Sequence, residues 1–162
     1  HAVRVNPKAA DAWRYLGDLY MSQGRMEDSE RAFEQAIGAK PASAEALTKL
    51  GLVKARRGDL DAGHELFNRA LKVASCYTPS LNNLALVQRR KGDVHSAIDI
   101  YHRSLLCETN NYRAHTGLGD IYYGEVKNRE KAAEHYSSAL QFMDPLHPDA
   151  PMIKTRLLEL TW

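Results

Sequence analysis

Apolar and small side chains recur along this chain at i, i+3, i+4 and i+7, the spacing of one helical face. Trp13, Leu16, Gly17 and Tyr20 trace the first such face, and His115, Leu118, Gly119 and Tyr122 trace a later one. Between them run Leu60, Gly63, Phe67, Ala70 and Leu71, then Val94, Ala97, Tyr101, Ser104 and Leu105. No segment alternates apolar and polar residues over the length of a strand, so an all-α chain is expected. Gly24, Gly58 and Gly92 separate successive faces, and each suits a helix end that turns through a left-handed conformation. Asp59, Asp93 and Asn128 follow, where a side-chain oxygen can cap the next helix. Thr78-Pro79 reads as a cap followed by proline at the first helical position.

The faces repeat. Gly24, Gly58 and Gly92 fall 34 residues apart, as do Leu16, Leu50, Leu84 and Leu118. Gly17, Gly51, Ala85 and Gly119 form a column of small residues, and Phe33, Phe67 and Tyr101 a column of aromatics. The fourth copy slips by one residue, to Tyr136, Ala139 and Leu140, which places an insertion in the Gly124–Asn128 turn. Each copy reads as two helices whose small residues let the backbones approach and accept the aromatic. One helix pair cannot bury both of its faces, so neighbouring pairs must stack.

Trp13-x-x-Leu16-Gly17-x-x-Tyr20, followed by Phe33, Ala36 and Pro41, resembles the tetratricopeptide repeat pattern. Lys54 and Gln88 replace an aromatic of the first helix, and Ser75 and Thr109 replace the closing proline. The resemblance implies a right-handed α-solenoid of stacked antiparallel helix pairs. Copies are expected at residues 10–43, 44–77, 78–111 and 112–146. Residues 1–9 read as the end of a preceding copy, because Ala2 and Pro7 precede Ala36 and Pro41 by one period. Residues 147–162 read either as a capping helix or as the start of a further copy.

Composition narrows the function. Lys and Arg number 22 against 20 Asp and Glu, a balance that argues against a nucleic-acid binder. No apolar run is long enough to span a membrane, and a cytoplasmic setting is the default reading. Cys76 and Cys107 are too few for a disulfide framework and read as small packing residues. His95, Asp99 and His102 share a helix face but fall on its outer, solvated side, so no metal or other cofactor is expected. Neither zinc-protease nor phosphate-loop spacing occurs, and the chain is read as non-catalytic.

In the tetratricopeptide family, side chains of the first helices line a concave groove that takes peptides. By that resemblance the first copy supplies Asp11, Arg14, Tyr15, Asp18, Met21 and Ser22. The second supplies Glu45, Thr48, Lys49, Leu52, Ala55 and Arg56. Asn82, Asn83, Leu86, Arg89 and Arg90 come from the third copy, with Arg113, Thr116, Asp120 and Tyr123 from the fourth. Asn amides can hold a peptide backbone and Arg can fork onto carboxylates. The expected partner is therefore another protein, through an extended or helical segment bearing Asp or Glu. Two specialised modes of the family fit poorly. A carboxylate clamp would find Thr48 and Leu52 where Lys and Asn are needed, and an asparagine ladder would have the single rung Asn83. Arg56, Arg89 and Arg90 also lie in last turns, where cations favour the helix dipole without any ligand. Three readings stay open: an interaction scaffold, a substrate-recruiting part of a larger enzyme, and self-association through open ends.

Overall fold

The structure is a computed structural model that describes residues 7–161, and among them it contains nine helices and no strand. They are α1 (Pro7–Ser22), α2 (Met26–Ala39), α3 (Ala44–Arg56), α4 (Leu60–Val73), α5 (Thr78–Arg90), α6 (Val94–Cys107), α7 (Tyr112–Gly124), α8 (Arg129–Phe142) and α9 (Ala150–Thr161). Of residues 1–9, assigned above to the end of a preceding copy, 1–6 lie outside the described residues, and 7–9 belong instead to the start of α1. The chain divides into two compact units, one ending at Val87 and the other starting at Gln88.

The turns form as the sequence directs. Gly24, Gly58 and Gly92 take φ values of 74°, 96° and 87°, a region that costs a residue with a Cβ. The Asp59 carboxylate then accepts from the Ala62 amide at 3.0 Å, Asp93 from Ser96 at 3.1 Å, and Asn128 from Lys131 at 3.0 Å. Each satisfies a donor that the helix start leaves unpaired. Around the inserted residue, Lys127 takes the left-handed conformation instead, at φ 55°.

In the first unit, α1 packs on α2 and α3 on α4, with α2 against α3. The aromatic column lies directly on the glycine column. A Cβ on Gly17 would stand 2.6 Å from the Phe33 ring, and one on Gly51 would stand 2.7 Å from Phe67. Ser29 uses the same close approach to donate its hydroxyl to the Gly17 carbonyl at 2.8 Å. Phe33, Leu47, Leu50, Val53, Leu66 and Ala70 form one buried cluster. Each fully buried side chain of that size contributes roughly 1.5–3 kcal/mol.

In the second unit, α7 pairs with α8, α6 packs on α7, and α9 packs on α8. Tyr136 lies on Gly119, where a Cβ would stand 2.6 Å from its ring. Tyr101 lies on Gly117 of the following copy, closer still. Ala150 and Ile153 anchor α9 and are buried. Arg129 of α8 donates to the Glu159 and Leu160 carbonyls near the end of α9.

Candidate protein-interaction surface

Side chains of successive first helices meet on one face of the first unit. Arg14 of α1 donates to Glu45 of α3 at 2.9 Å, and Lys49 of α3 donates to Asp18 of α1 at 2.7 Å. These are the fifth and ninth positions of one copy against the second and sixth of the next. Arg14 and Asp18 also face each other at i, i+4, 3.7 Å apart, so the four charges form one network. Tyr15 is 64% exposed beside it, with the Arg14 guanidinium 4.3 Å above its ring. Tyr77 lies near the same charges. Burial, then Glu45 and Asp18, push its phenol above the ordinary value against the pull of Arg14.

Of the residues expected in the groove, Lys49, Leu52, Asn82 and Asn83 are half-buried, while Arg56 and Leu86 are exposed. Asn83 donates its amide to the Pro79 carbonyl one turn earlier, at 2.8 Å. Two residues placed in the groove by family position belong to the packing instead. Thr48 and Ala55 are buried. The Thr48 hydroxyl donates to the Ala44 carbonyl and meets the buried Ser80 hydroxyl, so it serves the α3–α5 contact.

The second unit repeats the arrangement with other partners. Arg89 is half-buried and donates to both carboxylate oxygens of Glu125, at 2.7 and 3.2 Å, with Asp120 3.8 Å away. Asp120 also accepts from Arg156 and, at 2.8 Å, from the Tyr136 hydroxyl. Tyr123, exposed at its edge, donates to Glu159 at 2.7 Å. Its phenol is raised by that hydrogen bond and the glutamate charge. Burial pushes the Tyr101 phenol up to about 12. Arg113 is exposed, donates to the Tyr112 hydroxyl at 3.1 Å and sits 5.6 Å over its ring. Arg90 is exposed at the end of α5.

Two of the cations expected in the groove are offset from within: Lys49 and Arg89 each hold a carboxylate of their own unit. Glu125, Arg156 and Glu159 lie outside the groove positions of the family frame. The signal was present as a spacing, since Arg89–Glu125, Asp120–Arg156 and Tyr123–Glu159 are each 36 residues apart.

Other features fall elsewhere. A hollow of about 340 Å³ on the α1–α2 pair is lined by Trp13, Leu16, Tyr20, Asp28, Arg31, Ala32 and Gln35, none of them among the proposed ligand-binding residues. Among the described residues, no group of three or more His, Cys, Asp or Glu is arranged to hold a metal ion. None of the described helices is long and apolar enough to cross a membrane. The reading of the cysteines as simple packing residues is corrected, because neither Cys76 nor Cys107 is a free thiol.

A tetratricopeptide repeat family model matches residues 1–44, 16–78 and 48–110, which together cover more than half of the chain. The chain belongs to the tetratricopeptide repeat family. Its fold class is the α-solenoid. Solved repeat structures agree in fold. The pilF protein of Pseudomonas aeruginosa is 21% identical with a TM-score of 0.83, over 94% of this chain and 68% of that one. The first repeat domain of Spaghetti (RPAP3), bound to the HSP90 peptide SRMEEVD, is 19% identical with a TM-score of 0.71, over 77% and 99%. An O-GlcNAc transferase mutant of Thermobaculum terrenum is 25% identical with a TM-score of 0.76, over 86% of this chain but 27% of that one. No curated protein matches this tetratricopeptide chain in sequence.

Proposed function

We propose that this tetratricopeptide protein is a non-catalytic interaction scaffold that holds a segment of a partner protein against its first-helix faces. The observation that carries the reading is the cross-helix pairing of Arg14, Asp18, Glu45 and Lys49. It supports a common face for groove positions of successive first helices, lined by half-buried polar groups with Tyr15 exposed beside them. Half-buried polar groups around an exposed aromatic suit recognition better than either a bare apolar patch or a freely solvated charge run.

The proposed ligand-binding residues are Lys49, Leu52, Arg56, Asn82, Asn83 and Leu86 in the first unit. In the second they are Arg89, Arg90, Arg113 and Tyr123. The partner segment is extended or helical and carries Asp or Glu. The RPAP3 domain holds a peptide with two glutamates and an aspartate, which makes an acidic segment the first chemistry to test. Thr48 is buried where the family's carboxylate clamp requires Lys, so the proposed contacts are distributed side-chain contacts rather than a clamp on a chain terminus.

The test is a fluorescence-anisotropy titration of an acidic peptide panel and its Asn/Gln counterparts, with wild type and with Arg56→Glu/Arg113→Glu. Both arginines are exposed, so the double variant should still fold, with only a small loss where Arg56 faces the end of α3. Tighter binding of acidic peptides, weakened by salt and by the charge reversal, is expected. Equal binding of acidic and neutral peptides, or an unaffected double variant, would refute the assignment.

A further inference from the structure

Two columns that carry apolar residues in the earlier copies carry histidine in the last. The fourth position of the copies reads Trp13, Leu47, Leu81 and His115. The twenty-third reads Ala32, Leu66, Ile100 and, after the one-residue slip, His135. In α3 and α4 the corresponding leucines, Leu47 and Leu66, are buried in one apolar cluster. In α7 and α8 two imidazoles stand there instead, with their Nδ1 atoms 3.1 Å apart.

The surroundings assign the protons. The Nε2 of His115 lies 3.3 Å from the Thr109 carbonyl, which only accepts, so Nε2 carries the hydrogen. Nδ1 of neutral His115 is then an acceptor, and His135 donates to it from its own Nδ1. One hydrogen fits between the two nitrogens. Protonating His115 would place a second hydrogen in the same gap unless His135 moves its own to Nε2, and protonating both rings would do so in every tautomer. Protonating His135 would place a charge on a ring that is 9% exposed and stacked on Tyr122 at 5.6 Å.

Among the described residues, each group that acts on His135 opposes its charge. From α6, the His102 ring lies 6.1 Å from His135. From α7 come His115 and Tyr122, and from the α6–α7 turn the Thr109 carbonyl. On α8 itself, Lys131 opposes a positive His135, while Glu134 favours a positive His115. From α9, Arg156 turns to Asp120 and Tyr136.

We propose that His115 and His135 form an acid-release latch between α7 and α8, packed while neutral and loosened, together with α9, when mild acid protonates it. Burial foremost, then His115, His102 and Lys131, hold the His135 imidazole down at about 4. Burial also lowers His115, against the Thr109 carbonyl and Glu134. A freed imidazole takes its proton near pH 6.5. The open state therefore binds more protons across the interval between these values. The latch contributes fully above about pH 6.5 and loses its contribution as pH falls toward about 4.

The experiment compares denaturant unfolding at pH 7 and pH 5 for wild type and for His115→Leu/His135→Leu, which restores the residues of the second copy. Proton NMR titration of the folded wild-type imidazoles accompanies it. The wild-type unfolding equilibrium should shift toward the open state on the order of tenfold between the two pH values. The leucine variant should shift less than twofold. An equal acid response in both proteins would overturn the latch, as would a His135 ring titrating near 6.5 in the folded protein. If the variant does not fold, the wild-type titration decides alone.

Discussion

Gly51→Ala adds one methyl group at the closest point between α3 and α4. Its Cβ would stand 2.7 Å from Phe67 Cε1 and 3.2 Å from Leu66 Cβ. Carbon atoms rest about 3.5–4.0 Å apart, so the phenyl ring must retreat by roughly 1 Å. It has nowhere to go, because Phe67 is fully buried in a close-packed interior. Overpacking of this kind costs about 1–3 kcal/mol. Alanine recovers about 1 kcal/mol of helix propensity over glycine. The net expectation is a loss of about 1 kcal/mol, or roughly 2–4 °C in Tm for a chain of this size. Gly38→Ala is the matched control, since a Cβ there would meet nothing within 4 Å. It should gain about 0.5–1 kcal/mol from propensity alone. Thermal and denaturant unfolding of the two variants side by side gives the answer. Stabilisation of both by a similar amount would refute the aromatic-on-glycine contact.

Two further outcomes follow from the packing and the charges. Ile153→Ala should cost about 2–4 kcal/mol, because Ile153 is fully buried where α9 meets α8; an unchanged denaturant midpoint would mean that α9 does not hold there. Glu30 accepts from Lys54 and Arg57, both at 2.5 Å. Burial pushes its carboxyl up, but the two cations pull harder and leave it below the ordinary 4.5. Its contribution is present above about pH 4.5 and lost as pH falls below that, so Glu30→Gln should flatten the acid limb of a stability curve. Parallel curves for the two proteins would exclude the ion cluster as a source of acid sensitivity.

The repeat period carried most of the fold because its columns are set by local packing. Gly17 and Gly51 take the ring of their own copy, and Asp59, Asp93 and Asn128 cap as their spacing demands. The surface was less legible. Thr48 and Ala55 occupy groove positions in the family frame, yet the approach of α5 to α3 buries Thr48 against Ser80. Lys49 looks like a free cation until the partner one copy earlier, Asp18, is placed beside it. His95, Asp99 and His102 are exposed on α6, as their place on its outer face implies. The rings that gather come from three helices, at His102, His115 and His135, which spacing along one helix does not disclose. Comparison down the copies, rather than along one helix, holds that signal.

Tyr101 makes a contact that bears on how such a chain can be recombined. Phe33, Phe67 and Tyr136 each close onto the glycine of their own copy, but Tyr101 closes onto Gly117 of the next. Asn111 strengthens the same link by donating to Ser104 of α6 at 3.0 Å while capping α7. A module cut at the 34-residue frame, between residues 111 and 112, would separate the ring from its seat and the cap from its helix. Within the second unit, a graft that respects these contacts must carry α6, α7 and α8 together, across the boundary that the sequence repeat draws.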